Sequence, residues 1–573
     1  MLAREARVSR ASEAGQRVAD SRLGLAAILA CCIGVPLLSA WATGAIRIPH
    51  NDDWAYLRIL FTLADTGALQ LVGWNEAMLV GHLAWAVPVA EIFGASIAPL
   101  VVINALISAT GLVLTYVLAR RFLYVVYSLW VAFMVGIFPG FAALVTTFMT
   151  EPAAYAGQVG CLVLGVRALD REGHSRLGAL IGSLVVGVYA FSVREFAIAA
   201  PIAVVVALFV AEKNERRTSK LSVTALAALV AACLGLYLWR HTFPDDSSHF
   251  FRIDLGGDLV VHVTQSYFTL SLALLPALLW VKANGRLHPM TVFVAAVPLP
   301  LAGLAVMDSA GDPTCCLGGS GSVFVGNLLT ERGVLGNQVV AGIRPTLFPA
   351  PIWWALSAAA VVAGCLLAGR MHRAFVAARG EHRHHDLSVV MLAVFGALTG
   401  AALIFRAALG GPLFDRYLTP LVLVGAILVM RGRTEREATR GRLAPVVLAL
   451  LGLLSVILVT SGHNFDAARW RAAEIGVASG VPPRDVDGGF EWVGFHNRGV
   501  ADRNSARRPD DLGPGYMDLF ATAGNCAIVM SSPSTTTSLQ TIDRVGYRTL
   551  LGLNEETMWL YRVPEACDDK VAP

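Results

Sequence analysis

Charged side chains are scarce in this chain. Only 15% of its 573 residues are Asp, Glu, Lys or Arg, whereas 55% are hydrophobic. A soluble domain usually carries about a quarter charged residues. The scarcity is also uneven, because long uncharged runs alternate with short charged clusters. This pattern excludes a large soluble enzyme and predicts an all-α polytopic membrane protein.

Basic patches with interleaved aromatic side chains are missing, so nucleic acid is not an expected partner. No cluster of His, Cys and carboxylate residues has the spacing of a zinc site, so no structural metal is expected. The nine cysteines include Cys526 and Cys567 near the end of the chain. An oxidising compartment would allow these two to form a disulfide, but the sequence does not fix the pairing.

A cleavable signal sequence is also missing. The first apolar run, Leu23 to Ile46, has 24 uncharged residues, whereas a secretory h-region has about 7–15. This run is therefore expected to remain as the first of about thirteen membrane helices. The runs long enough to cross a bilayer are 24–45, 97–119, 122–138, 153–167, 177–192, 196–211, 221–239, 260–281, 289–307, 349–369, 388–405, 417–430 and 443–461. The stretch 177–211 is divided at Arg194 and Glu195, its only charges.

The positions of Lys and Arg indicate the orientation. With the N-terminus inside, the cytoplasmic segments hold 25 Lys and Arg residues, and the outer loops before residue 462 hold nine. This excess predicts a cytoplasmic tail, residues 1–23, and an extracytoplasmic segment, residues 462–573. The protein is expected in a bacterial inner membrane or plasma membrane.

Two long outer loops interrupt the predicted membrane domain of residues 24–461. Loop 46–96 carries two amphipathic runs, Thr62–Trp74 and Ala77–Phe93, which predict helices lying on the membrane surface. Loop 308–348 is rich in glycine and is expected to be mobile.

The C-terminal segment, residues 462–573, is long enough to form a small domain. Helical periodicity from Phe465 to Gly480 is followed by short strand-like runs. These patterns predict a small α/β domain, with strands near 527–530, 547–551 and 558–563.

Two adjacent carboxylates, Asp52 and Asp53, follow the first membrane helix. Carboxylates so close to hydrocarbon are costly unless they are hydrated, paired or functional. A structural explanation is that Asn51 or Asp52 caps a helix beginning near Trp54. The two explanations are compatible, since one carboxylate can cap while the other faces a site.

Three short motifs carry a resemblance to a known family. Asp52-Asp53, followed by Tyr56, resembles the acidic motif of GT-C fold lipid-dependent glycosyltransferases. Within these, the similar group is that of protein O-mannosyltransferases and aminoarabinose transferases. The run from Phe148 to Pro152 resembles the second acidic position of this group, and the run from Phe414 to Pro420 resembles its Arg-Tyr-Leu-x-Pro element. The resemblance covers the layout of residues 20–460, and only these motifs in detail.

The resemblance implies an inverting transferase that uses a polyprenyl-phosphate-linked sugar on the outer face of the membrane. The acceptor would be a glycan, a lipid or a protein, and membrane lipids would be further partners. An acceptor hydroxyl needs a carboxylate base, and the departing lipid phosphate needs cations. The implied catalytic residues are Asp52, Asp53 and Glu151, with Asp52 ahead of Asp53. Arg194, Arg406 and Arg416 are candidates for binding the donor phosphate, and Tyr56 and Tyr417 are further site candidates. No cofactor is expected, although Asp52 and Asp53 could hold a divalent cation.

Each candidate also has a structural explanation. Glu151 precedes a proline at a helix start, where its charge favours the helix dipole. Arg194 and Glu195 could pair with each other, Arg416 could extend to the membrane interface, and Arg406 could be a boundary residue.

Two other functions compete with a transferase. A multi-pass transporter or lipid flippase would place ionisable residues near the bilayer midplane, whereas here the polar residues gather at one rim. An assembly or receptor protein would act through an aromatic patch on residues 462–573, with Trp470, Phe490 and Trp492 as members.

Overall fold

A computed structural model gives the fold of the chain. It describes residues 21–72, 75, 77–214, 219–243, 257–280, 289–311, 323–336, 339–380, 386–431, 443–497, 525–534, 539–564 and 567. Most of the N-terminal tail, together with Asp312, Cys315 and Cys316 of the long Gly-rich loop, lies outside these residues.

Eleven helices in the described part of the chain are long and apolar enough to cross a membrane. They are Ser21–Thr43, Ile97–Ala119, Glu151–Leu169, Gly173–Val193, Glu195–Asn214, Lys220–Arg240, Leu259–Leu279, Pro289–Val306, Ala350–Val376, Leu387–Ala408 and Leu443–Ala478. The other two predicted spans form shorter helices, Val125–Gly136 and Thr419–Met430. The predicted all-α membrane architecture is therefore confirmed.

Prolines and a helix break determine where several of these helices begin. Pro152 and Pro420 each lie in the first turn of a helix, where the missing N–H costs little because that group would have no partner in the helix. The predicted break between residues 177 and 211 is also present. Arg194 has extended backbone, with φ −153° and ψ 130°, and a short 3-10 helix, Glu195–Ile198, follows it.

Loop 46–96 forms two helices, Asp53–Thr66 and Val80–Phe93. The second agrees with the prediction except at its first turn. The prediction for the first was wrong, since that helix begins at Asp53 and ends at Gly67, whose φ of 70° stops it. Residues 53–60 are all buried, so this helix is part of a core and does not simply lie on a membrane surface.

The last long helix connects the membrane bundle to the C-terminal segment. Leu443–Ala478 has 36 residues, which gives a length of about 54 Å, whereas a bilayer core is about 30 Å thick. The helix therefore continues past residue 461, where the sequence analysis places the end of the membrane domain.

A four-stranded sheet follows this helix, with the order β1-β2-β4-β3. The strands are β1 Val486–Asp487, β2 Ala527–Met530, β3 Gln540–Thr549 and β4 Asn554–Arg562, and a short helix, Phe490–His496, follows β1. β1 and β2 pair in parallel, whereas β4 is antiparallel to both β2 and β3. The predicted small α/β fold of this segment is confirmed.

A single hydrophobic core joins loop 46–96 to the C-terminal segment. It includes Trp54 and Leu57 of the first loop, Phe465 of the long helix and Leu560 of β4. Segment 323–336 contributes Leu328 and Leu335 to the same core. This part of the loop expected to be mobile is thus packed, and residues 323–330 are all buried.

No disulfide joins Cys526 and Cys567, both of which lie among the described residues. The Sγ atom of Cys567 lies 3.4 Å from the carbonyl oxygen of Cys526.

Close packing between the helices Glu151–Leu169 and Gly173–Val193 gives a test of the fold. A Cβ atom added at Gly157 would lie 2.7 Å from the Cβ of Ala190, whereas one added at Gly178 would meet no atom within 4 Å. Gly157→Ala is expected to lower the free energy of unfolding by about 1–3 kcal/mol through overpacking. Gly178→Ala, the matched control, should leave it unchanged or raise it. Thermal unfolding in detergent measures both, and equal stability of the two variants would contradict the packing.

A buried charge cluster as the candidate active site

Asp52 and Arg416 form the ion pair at one end of the candidate site. Oδ2 of Asp52 accepts a hydrogen bond from Nη2 of Arg416 at 2.9 Å. Asp52 occupies the N-cap position of the helix Asp53–Thr66, but its side chain makes no capping hydrogen bond. The Asp52 side chain is 17% exposed and that of Arg416 only 3%. Asp52 therefore faces the guanidinium of Arg416 from the more open side.

Glu151 continues the cluster by lying between two arginines. Its Oε1 is 3.1 Å from Nε of Arg416 and 3.3 Å from Nη2 of Arg194. The side chains of Glu151 and Arg194 are only 8% and 7% exposed. Negative and positive charges thus alternate along the order Asp52, Arg416, Glu151, Arg194, and their sum is zero.

Arg194, at the far end of the cluster, donates hydrogen bonds to two tyrosines. Nη1 of Arg194 donates to the hydroxyl of Tyr56 at 3.2 Å and to Oγ1 of Thr150 at 3.0 Å. Nη2 of the same residue donates to the hydroxyl of Tyr417 at 3.3 Å. The extended backbone of Arg194 at the helix break directs its side chain towards the starts of other helices, where these partners lie.

Segment 323–336 contacts Arg416 and its neighbour Asp415. Nη1 of Arg416 donates to Oδ1 of Asn327 at 3.3 Å. The neighbouring Asp415 accepts the backbone N–H groups of Leu328 and Leu329 at 2.9 and 2.6 Å, and burial raises the pKa of Asp415 to about 6. Asp415 therefore fastens this segment beside the cluster. Asn327 was missed by the sequence analysis because it lies far from the motifs in the chain.

Asp53 does not join the cluster, although its neighbour Asp52 does. The Asp53 side chain is fully buried. Its Oδ1 accepts the backbone N–H of His50 at 2.5 Å, and its Oδ2 accepts that of Phe148 at 3.0 Å. Burial raises the pKa of Asp53 well above its usual range, although the charge of His50 and the two N–H groups act in the opposite direction. Asp53 thus links the turn that carries Asp52 to the segment just before Glu151.

Arg406 lies at the edge of the cluster. Its Nε donates to the carbonyl oxygen of Pro412 at 3.1 Å, and its guanidinium lies 5.6 Å from the centre of the Tyr417 ring. Of the three arginines selected from the sequence, Arg194 and Arg416 are therefore the two that the structure joins through Glu151.

A pocket opens beside Glu151 and Arg416. Its other lining residues are mostly apolar and are Gly140, Phe141, Leu144, Pro152, Tyr155, Gln158, Phe196, Tyr417, Thr419 and Pro420. The pocket thus has one charged wall and several apolar walls. This lining places charged and apolar groups side by side.

Gln158 is a second residue that the sequence analysis missed. It lies on the same helix as Glu151, seven residues on and so on nearly the same face. It is fully buried, and neither its amide oxygen nor its amide nitrogen finds a hydrogen-bond partner among the described residues. A buried amide left in this way is costly, so Gln158 marks the pocket as a place for polar atoms. Its position in an apolar helix was the one available signal.

The described residues contain no group of three or more His, Cys, Asp or Glu side chains arranged to hold a metal ion. Asp52 and Asp53 have different partners, as shown above. A divalent cation at this pair stays a prediction.

Residues 76–239 match the family model of dolichyl-phosphate-mannose-protein mannosyltransferases. The matched segment covers less than half of the chain. It contains Glu151 and Arg194, whereas Asp52 and Arg416 lie outside it. The resemblance to this group of glycosyltransferases that the short motifs indicated is confirmed.

Two solved structures of ArnT from Cupriavidus metallidurans are also similar to the chain, one bound to undecaprenyl phosphate and the other in the apo state. Both share 16% sequence identity with it at a TM-score of 0.38. The alignments cover 92% of this chain and 97% and 96% of the two ArnT chains. Values this low do not establish a common fold. No curated protein matches the chain.

The contacts of Asp53 predict a loss of stability when its carboxylate is altered. Asp53→Asn replaces one accepting oxygen with an NH2 group that faces a backbone N–H. We expect the free energy of unfolding to fall by about 1–3 kcal/mol, because a buried donor loses its acceptor. Asp543→Asn, at an exposed position of β3, is the control. Thermal unfolding of the purified protein compares the two, and an unchanged Asp53→Asn variant would argue against the anchoring role.

Proposed function

We propose that the protein is an inverting membrane glycosyltransferase that moves a sugar from a polyprenyl-phosphate donor to an acceptor hydroxyl on the outer face of the membrane. The observation that carries the proposal is the Asp52–Arg416 ion pair, which places a carboxylate against a buried guanidinium next to a partly apolar pocket. The match of residues 76–239 to a mannosyltransferase family supports the same class of reaction.

Asp52 is the proposed general base. It is more exposed than the three charged side chains that follow it in the cluster, so an acceptor hydroxyl can approach it. The acceptor oxygen forms a bond to the anomeric carbon of the sugar, and its proton passes to Asp52. The bond from the anomeric carbon to the phosphate oxygen breaks, and its electron pair leaves with the lipid phosphate. Direct displacement of this kind inverts the configuration at the anomeric carbon.

Arg416 and Arg194 are the proposed phosphate ligands. A guanidinium suits this role because its planar set of donors can grip two phosphate oxygens at once. When a phosphate takes over Arg416, the Asp52 carboxylate is released to accept a proton. Glu151 then holds the two guanidinium groups in place by charge. Both groups can stabilise the negative charge that develops on the leaving phosphate.

The partly apolar pocket would receive the first part of the lipid. Phe141, Leu144 and Phe196 supply apolar walls, and the charged wall lies at Glu151 and Arg416. Undecaprenyl phosphate, which one of the similar ArnT structures contains, has this combination of an apolar chain and an anionic head. We infer that a lipid of this class is the donor carrier.

Transport is less well supported by the same geometry. A transporter would place its ionisable residues near the middle of broken helices. Arg194 does lie at a helix break, but Glu151 and Arg416, its neighbours in the cluster, stand at helix starts. A position at helix starts favours chemistry near a membrane surface over transport through the bilayer.

The proposed base predicts the effect of removing one charge. Asp52→Asn should lower the rate of sugar transfer by about 100-fold or more, the usual contribution of a positioned base. Asp543→Asn, at an exposed position of β3, should keep the wild-type rate. The donor is first identified by mass analysis of lipid-linked sugars that accumulate in a knockout strain, and transfer from it is then measured in proteoliposomes. A fully active Asp52→Asn enzyme would remove the proposed base.

The proposed phosphate ligand predicts a loss of lipid affinity. Arg416→Ala should raise the dissociation constant for undecaprenyl phosphate by about 10-fold or more, since charged hydrogen bonds contribute about 1.5–3 kcal/mol. Arg548→Ala is the control, because Arg548 is exposed and pairs with Glu555 on the sheet. Binding is measured on folded protein in detergent or nanodiscs. Equal affinities of the two variants would show that Arg416 serves only the fold.

A further inference from the structure

A second buried set of charges lies apart from the candidate active site. Arg469, on the long helix Leu443–Ala478, pairs with Oε2 of Glu491 at 2.7 Å and with Oδ1 of Asp466 at 3.2 Å. The side chains of Arg469 and Glu491 are fully buried, and that of Asp466 is nearly so. Glu491 belongs to the short helix Phe490–His496 of the C-terminal segment. Three charges thus meet between the long helix and this segment.

Both ends of this network contact the two residues that precede Asp52. Oδ2 of Asp466 accepts from Nδ1 of His50 at 2.9 Å, and Oε1 of Glu491 accepts the backbone N–H of Asn51 at 2.9 Å. Nε2 of His50 lies 2.8 Å from the carbonyl oxygen of Ala45. Since both ring nitrogens of His50 face acceptors, this geometry requires the protonated imidazole. The network then holds two positive and two negative charges.

The pKa of His50 agrees with this charge. Burial lowers the pKa, but the hydrogen bond and the charge of Asp466 raise it, and the result is about 9. His50 therefore stays protonated at neutral pH.

Asn51 has a left-handed backbone conformation. Its φ is 55°, in a region that residues other than Gly, Asn and Asp seldom adopt. The residue is buried, yet its Nδ2 has no hydrogen-bond partner among the described residues. The contact with Glu491 is made by the backbone of Asn51. This left-handed residue sets the direction in which the next residue, Asp52, leaves the turn.

The short helix Phe490–His496 also packs directly against the helix that Asp52 begins. Trp54 is fully buried, and its ring meets that of Phe490 edge to face at 6.0 Å. A Cβ atom added at Gly494 would lie 2.4 Å from the Trp54 ring, and Nη1 of Arg58 donates to the Gly494 carbonyl at 3.1 Å. No gap is left between the two helices at this point.

We propose that Glu491 is a positioning residue for Asp52, so that the C-terminal segment is part of the catalytic unit. This inference rests on the proposed function of Asp52 as the base. Glu491 fixes the backbone of Asn51, and Arg469 fixes Glu491 and, through Asp466, the ring of His50. These contacts hold the turn that presents Asp52 to Arg416, in addition to the hydrogen bond between Asp53 and the backbone of His50.

Three variants test the proposal. Glu491→Ala removes the acceptor of the Asn51 N–H and should lower kcat at least 10-fold per folded molecule. The affinity for undecaprenyl phosphate should change less than threefold, because Arg194 and Arg416 are untouched. Glu491→Gln keeps an oxygen for the Asn51 N–H but loses the charge that pairs with Arg469. It should unfold at a lower temperature than wild type, as Glu491→Ala does, yet keep kcat within about threefold. Glu555→Ala, at an exposed position of β4, is the matched control and should match wild type in kcat, in lipid affinity and in unfolding temperature.

Comparing the unfolding temperature with kcat in the two Glu491 variants decides whether the proposal holds. Wild-type kcat in Glu491→Ala would overturn the proposal, as would an equal loss of kcat in Glu491→Ala and Glu491→Gln. If Glu491→Ala does not fold, Asn51→Ala and Asn51→Gly replace it. Asn51→Ala disfavours the left-handed turn and should lower kcat at least threefold, whereas Asn51→Gly permits the turn and should not. Equal kcat in these two variants would also overturn the proposal.

Asp52→Asn is measured in parallel to separate the two hypotheses. If Asp52→Asn is fully active, the proposed base itself is wrong. If Asp52→Asn is inactive while Glu491→Ala turns over normally, only the positioning role is wrong.

Discussion

The candidate site depends on the contacts that the guanidinium of Arg416 makes. It meets Asp52 from the first loop, Glu151 from the start of a membrane helix and Asn327 from a distant segment. Removing these charges from water is costly, and attraction between them offsets that cost only when the geometry is good. A buried arrangement of this kind is weak evidence for stability alone. Its position beside a pocket makes it better evidence for binding an anion, since a phosphate could replace one of the carboxylates at Arg416.

In each of two pairs of adjacent residues, one side chain belongs to the candidate site and the other binds backbone N–H groups. Asp52 faces Arg416, whereas Asp53 binds backbone N–H groups of two other segments. Arg416 faces the cluster, whereas Asp415 binds the backbone of Leu328 and Leu329. Consecutive side chains leave the backbone in different directions, so one residue of each pair enters the site and its neighbour fastens the chain. The proposed role of Glu491 extends this scheme, because its carboxylate likewise holds a backbone N–H next to a site residue.

Most of the membrane architecture could be predicted because hydrocarbon imposes a simple requirement. A run of about 20 apolar residues satisfies its own backbone hydrogen bonds as a helix, and each predicted span corresponds to a helix in the structure. Of the two spans that proved short, Val125–Gly136 ends three residues before Pro139, and Thr419–Met430 has Pro420 in its first turn. The first amphipathic helix was misplaced for a different reason. Asp53–Thr66 is buried on several faces, so its apolar residues do not mark a single stripe.

The sequence by itself determined the helical class, the break at Arg194 and the polar residues worth considering, since each of these depends on local composition. Only the tertiary structure decided that Asp52 meets Arg416 while Asp53 is an anchor, because adjacent carboxylates are equivalent until other segments pack around them. It also decided that Arg194 joins the cluster while Arg406 stays at its edge. The same holds for Asn327, Gln158 and Glu491. Asn327 and Glu491 have partners that are distant in the chain, and Gln158 lines a pocket. Neither kind of position leaves a periodic signal in the sequence.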